Sequence, residues 1–129
     1  RMRCVVVESP FAGPTPADIE ANLTYVRRAM ADCLARGEAP FASHALYTQP
    51  GVLDDLVPEE RALGLAAGFA WGAAAESVIF YVDRGVSRGM LAGVKAAMDR
   101  DCCIEVRALD RETTYADLVA LGLREGLPS

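Results

Sequence analysis

One histidine, His44, and four cysteines are all the nitrogen and thiolate ligands that the 129-residue chain offers toward a zinc site. Cys102 and Cys103 are adjacent, Cys4 and Cys33 stand far apart, and no CxxC occurs, so neither a zinc set nor a disulfide framework is expected. Free, buried thiols are the expectation, and no metal. Neither GxGxxG nor GxxxxGK[ST] is present, which removes the dinucleotide fingerprint and the P-loop, and no cofactor is expected. No apolar run reaches the roughly 18 to 20 residues that span a bilayer, and the start of the chain lacks the basic, apolar, small-residue layout of a signal peptide. A cytoplasmic protein without membrane contact is expected. Basic charge is also short: 13 Lys and Arg against 18 Asp and Glu give a net charge of -5. With a pI near 4.8, there is no basis for a phosphate-neutralising face, so duplex nucleic acid is not an expected partner. Internal repeats, low-complexity tracts and linkers are absent.

What is present is apolar enough to fold. Hydrophobic residues make up 52% and charged residues 24%, and the mean hydropathy of +0.17 is far from that of a disordered chain. At 13.8 kDa, two domains would each be near the size at which cores become marginal. One domain over 2–129 is expected.

Apolar runs and helix punctuation alternate along it. Arg3 to Glu8 contains CVVV and reads as a buried strand. Thr15, Pro16 and Asp18 combine an N-cap, a first-turn proline and an acidic first turn, predicting a helix from Pro16 to Arg36 that Gly37 ends. Ala39 to Ser43 reads as a second strand, followed by a long connection, HALYTQPGVLDDLV. Pro58 opens a second helix, PEERALGLAAGFAWGAAA. Ser77 to Val82 is the clearest strand, β-branched, aromatic and apolar throughout. Ser87 caps a third helix, Cys103 to Leu109 forms a fourth strand, and Thr114 to Leu123 a terminal helix. This order predicts a small Rossmann-like α/β/α domain, its parallel sheet of four to five strands running 2-1-3-4. The second helix, rich in Ala and Gly and carrying Phe69 and Trp71, is apolar on more than one face, so a homo-oligomer is expected.

In such a sheet ligands bind outside the carboxyl ends of the strands, where the strand order switches. The loop after strand one holds Glu8, Ser9, Phe11 and Gly13. Beyond strand two come His44, Tyr47, Gln49, Asp54 and Asp55; beyond strand three come Asp83, Ser87, Arg88, Gly89 and Met90. Ser87, Arg88 and Gly89 open a helix, where free backbone N–H groups, a hydroxyl and a guanidinium suit a phosphate, although an ordinary N-cap beside a solvated arginine is the plainer reading. His44 is a general acid, general base or ligand donor, or a satisfied structural group. Asp54 and Asp55 serve acid/base chemistry, a ribose diol or helix capping. Phe11 and Tyr47 sandwich a base or pack in the core.

The run ESPFAG, then PFASHALYTQPGVLDD, PEERALGLAAGFAW and the SRGM that opens a helix, resembles an uncharacterised family of bacterial and phage proteins, itself similar to the nucleoside 2-deoxyribosyltransferase superfamily. The likeness covers Met2 to Leu109. It implies a single domain that takes a nucleoside or nucleoside monophosphate and cleaves or exchanges its N-glycosidic bond, in a homo-oligomer whose neighbour can complete the pocket. Relatives of that kind carry a glutamate just after a Gly-Met pair at the start of the third helix. Gly89 and Met90 match, but Leu91, Ala92 and Gly93 follow, and an aliphatic side chain can neither attack C1′ nor stabilise an oxocarbenium ion. The carboxylate is therefore expected from elsewhere: Glu8 first, then Asp83, Asp54 or Asp55. The alternative is a non-catalytic module of the same fold that senses or sequesters a nucleotide.

Overall fold

Three successive valines give β1 (Arg3–Glu8) side chains on both faces, and Val5, Val6 and Val7 are 1%, 2% and 0% exposed. A strand buried on both sides needs a layer of helices above and below it. The computed structural model describes residues 1–126 and supplies both layers. After β1 come α1 (Pro16–Ala35), β2 (Glu38–Phe41), a single turn α2 (Ser43–Leu46), α3 (Pro58–Ala74), β3 (Ser77–Tyr81), α4 (Arg88–Asp99), β4 (Ile104–Arg107) and α5 (Tyr115–Ala120). The strands form one sheet in the order β2-β1-β3-β4, every pair parallel. This is the expected Rossmann-like α/β architecture, with four strands.

α1 starts at a capping box in which Thr15 and Asp18 satisfy each other's backbone N–H groups. Its Tyr25, Val26, Ala29 and Cys33 pack on Val5, Val7, Ile79 and Tyr81. On the opposite face Met90, Val94 and Ala97 of α4 cover Val6, Val78, Phe80 and Val82. α3 lies beside α4 on that face, and its outright buried residues are two glycines, Gly68 and Gly72. A Cβ at 68 would come 2.6 Å from Ser43 Oγ, so α3 approaches α2 closely because glycine stands there. On the α1 side Arg107 grips Glu38 through two contacts of 2.8 Å, and Arg3 reaches the same carboxylate at 2.7 Å. Hydrogen bonding to Arg107 outweighs burial and pushes Glu38 down to about 2.

Several boundaries differ from the sequence expectation. β2 ends at Phe41 rather than Ser43, because Ala42 caps α2 and the chain coils where a bare connection was expected. β4 stops at Arg107, short of Leu109: the N–H groups of Leu109 and Asp110 turn to the Asp83 carboxylate instead of continuing the ladder. α5 is shorter than Thr114 to Leu123, since Thr114 is its N-cap, Leu121 its C-cap, and Gly122 has φ 74°. Residues 127–129 of the expected domain lie outside the described residues. The cysteines are all free, but only Cys33 is buried; Cys102 is partly covered, and Cys4 and Cys103 are exposed at the start of strands. No described helix is long and apolar enough to cross a membrane. Among the described residues no group of three or more His, Cys, Asp or Glu could hold a metal ion.

Candidate functional site

The chain leaves β1 for β2 on one side and returns past β1 to β3 on the other, so the strand order switches between β1 and β3. Loops diverge at such a point and leave a crevice outside the carboxyl ends of the strands. Glu8, the last residue of β1, pairs with Phe80 there. Alternation along β1 sends its side chain to the face covered by α3 and α4, with that of Val6. Its carboxyl lies against Gly93 of α4: a Cβ at 93 would come 3.0 Å from Glu8 Oε2.

Ser9 follows, 5% exposed. Its Oγ is 2.7 Å from His44 Nε2. The early end of β2 makes this pairing possible, because α2 turns the chain back so that His44 faces the end of β1. Thr48 donates to the His44 carbonyl and braces the turn. Neither strand alone specifies this contact.

Glu8, Ser9, Ser43, His44, Arg61 and Ser87 surround an inner cavity of about 70 Å³. A neighbouring cavity of about 600 Å³ opens between the β1–α1 loop and the segment leading to α3, and Phe11, Gly13, Gln49, Asp54 and Asp55 line it. A third, of about 50 Å³, holds Tyr47, His44 and Arg61. Asp55 lines all three, so the cavities adjoin one another. The largest falls within the size range of small-molecule sites.

Burial sets the chemical state of the two titratable groups Glu8 and His44. Glu8 has no hydrogen-bonding partner among the described residues, and burial pushes its carboxyl up to about 8. It is a neutral acid at pH 7. Burial pulls His44 down to about 4, so the imidazole is neutral as well. Asp55 is held by Arg61 Nη1 at 2.7 Å.

The other sequence candidates fall into different places. Asp83 lies outside these cavities: both its oxygens are occupied, Oδ1 by the Tyr25 hydroxyl at 2.5 Å and by Leu109 N, Oδ2 by Asp110 N. Burial opposes its ionisation, but hydrogen bonds led by Tyr25 override that and hold its pKa below the ordinary value. Asp83 thus ties β3 to α1 and to the end of β4. Asp54 Oδ1 accepts from Leu56 N in a local turn and is exposed at the outer cavity. Tyr47 accepts a hydrogen bond from Trp71 Nε1 and meets Phe41 edge-on, so it packs against the edge of the sheet; it shares no cavity with Phe11. Met90 is a core residue, 1% exposed. Ser87 caps α4 by accepting from Met90 N, and Gly89 stands beside it at the cavity wall, with Arg88 exposed to solvent. A Cβ on Gly13 would meet Asp18 Cβ at 2.5 Å, which gives that glycine a packing role.

Four residues emerge only from the structure. Arg61, Phe69 and Gly93 reach the site from helices whose facing sides are not fixed by chain order. Asn22, 5% exposed, donates to the Phe11 carbonyl and accepts from Arg84 Nε at 2.7 Å, so it pins the loop after β1 to the loop after β3. The signal available for α3 was its glycine spacing: Gly64, Gly68 and Gly72 recur every four residues, the interval of one helix face.

The chain matches no curated protein and no solved structure. A family model does match over residues 3–107, a span that takes in the whole sheet and the cleft, and the chain belongs to that family, described as Domain of unknown function (DUF7768).

Proposed function

We propose that the cleft binds a nucleoside or nucleoside monophosphate and that the protein cleaves its N-glycosidic bond, in keeping with the resemblance to the nucleoside 2-deoxyribosyltransferase superfamily. The observation that carries this reading is the position of Glu8. Its carboxyl packs against Gly93, in the first turns of α4, where the resemblance leads one to look for a glutamate and the helix has none. A carboxyl group displaced from helix to strand, in a cavity with Ser9 and His44, has the chemistry that N-glycoside cleavage asks for. A 5′-phosphate is assigned to the start of α4, where Ser87 and Gly89 line the cavity, Arg88 stands exposed nearby and a helix N-terminus favours an anion. The outer cavity leaves room for the base beside Phe11. No cofactor takes part in this reading.

The protein is also proposed to self-associate. From Ala62 to Ala74 α3 contains no charged side chain, and its outer face exposes Ala62, Leu63, Ala66 and Ala70. Leu63 is 60% exposed and Leu56, just before the helix, 86%. A contiguous apolar face of this kind fits an interface between protomers.

Incubation with ribo- and deoxyribonucleosides and their 5′-monophosphates, with free base read by chromatography beside thermal shift, tests the reading. Base release supports the enzyme. A shift without release supports a second reading, a nucleotide-sensing module, which the sequence Leu91-Ala92-Gly93 in place of the glutamate favours.

A further inference from the structure

Resting on that reading, we propose that the glycosidic bond is broken in a single displacement by water, with Glu8 as proton donor to the departing base and the Ser9–His44 pair holding the attacking water. The protein is then a hydrolase that forms no covalent glycosyl intermediate.

The inner cavity is lined by two carboxyl groups, and they are not equivalent. Asp55 is bound to Arg61 at 2.7 Å, whereas the Glu8 carboxyl lies against the bare backbone at Gly93 and has no hydrogen-bonding partner among the described residues. A carboxyl group in such surroundings keeps its proton, as the rise to about 8 reflects. A protonated carboxyl can give a proton to a leaving nitrogen, but it carries no charge with which to attack C1′ or shield an oxocarbenium ion. The nucleophile must therefore come from another group in the cavity.

Ser9 and His44 are suited to supply it. Their 2.7 Å contact fixes the serine oxygen, and a neutral imidazole has one nitrogen free to accept. With Nε2 accepting from Ser9, the lone pairs of the hydroxyl are left to take a hydrogen bond from water. The electron pair of the C1′–N bond then passes to the base nitrogen, which takes the proton of Glu8. Water oxygen bonds to C1′, its proton passes to Ser9, and the hydroxyl proton of Ser9 passes to His44 Nε2. Glu8 becomes anionic as His44 becomes cationic, so the cavity exchanges a neutral pair for an ion pair and never holds one isolated charge. Return of the proton from His44 to Glu8 leaves free base and sugar as the products of nucleoside and water. The charged or titratable groups that share a cavity wall with Glu8 are His44 of α2, Arg61 of α3 with its partner Asp55, and Arg100 and Cys102 between α4 and β4.

The test uses the full chain with the nucleosides and 5′-monophosphates named above, each with and without a second, isotopically labelled free base. Expected are base release without incorporation of the labelled base, an inverted sugar anomer in early NMR spectra, and an unchanged protein mass during turnover. Release should decline as pH rises through about 8. Glu8→Gln, which keeps the shape, should lose roughly 100-fold or more in kcat, within the range for general acid catalysis, while retaining the ligand-induced thermal shift. Ser9→Ala should lower kcat with KM little changed. Base exchange, retention of the anomer or a glycosyl adduct on Glu8 would overturn the single displacement and leave N-glycoside cleavage standing. Absence of release from every compound would overturn both.

Discussion

Glu8→Gln is expected to stabilise the protein at neutral pH while abolishing its proposed chemistry. In the unfolded chain Glu8 titrates at its ordinary value of 4.5, and in the fold at about 8. Below pH 4.5 the group is protonated in both states and contributes no difference. Between these values the folded protein holds one proton more than the unfolded chain, so stability falls as pH rises, by about 1.4 kcal/mol per pH unit. Above about 8 both states are ionised and the loss levels off. By pH 7 the accumulated penalty is about 3 kcal/mol, and glutamine, which has no proton to hold, escapes it. At low pH the two side chains are neutral and similar in shape, so their difference there is small. Urea unfolding followed by circular dichroism at several pH values between 4.5 and 8 reads this directly. Other titrating groups, Glu38 included, act alike in both proteins and cancel in the difference. The variant should match the parent near pH 4.5 and exceed it by up to about 3 kcal/mol at pH 7. Parallel stability curves across this range would refute the burial of an unpaired carboxyl. The sign is that of a buried acid kept at the expense of stability.

Glu38 behaves in the opposite sense. Its folded value of about 2 lies below the ordinary 4.5, so its contribution is fully present above about pH 4.5 and is lost as pH falls toward 2. Glu38→Gln should cost about 1 to 3 kcal/mol at pH 7, because it replaces the charged acceptor of Arg107 and Arg3 by a neutral one while Arg107 keeps Glu105 at 3.3 Å, read as a lower urea midpoint. Asp83→Asn should lower stability by about 1 to 3 kcal/mol through weakened hold on Leu109 N, Asp110 N and Tyr25, with base release per folded molecule unchanged; selective loss of release would return Asp83 to the site. Arg88→Ala should weaken monophosphate binding by roughly 10- to 150-fold and leave nucleoside binding nearly untouched, as isothermal titration would show; equal losses for both would count against a phosphate at α4. Leu63→Glu should shift sedimentation of the protein to the monomer, and a parent protein already monomeric would remove α3 as an interface.

The layer order, the parallel sheet and the strand order were legible in the sequence because they rest on local signals. Valine runs, Pro and Ser at helix starts, and apolar spacing each act within a few residues, and parallel strands leave few ways to connect them. The place of Glu8 and Ser9 at the switch of strand order was legible for the same reason: the end of the first strand lies there whatever the side chains do. What the sequence could not carry is the pairing of groups distant along the chain. Ser9 meets His44 only because β2 stops at Phe41 and the chain coils at Ser43. Asp83, at the end of a central strand, looked like Glu8 in the sequence, yet tertiary packing gives its oxygens to Tyr25, Leu109 and Asp110 and leaves the carboxyl of Glu8 unpartnered. Which of two carboxyl groups is neutral and which ionised is set by desolvation and hydrogen-bond donors that arrive from other elements, and only the assembled fold decides where those donors stand.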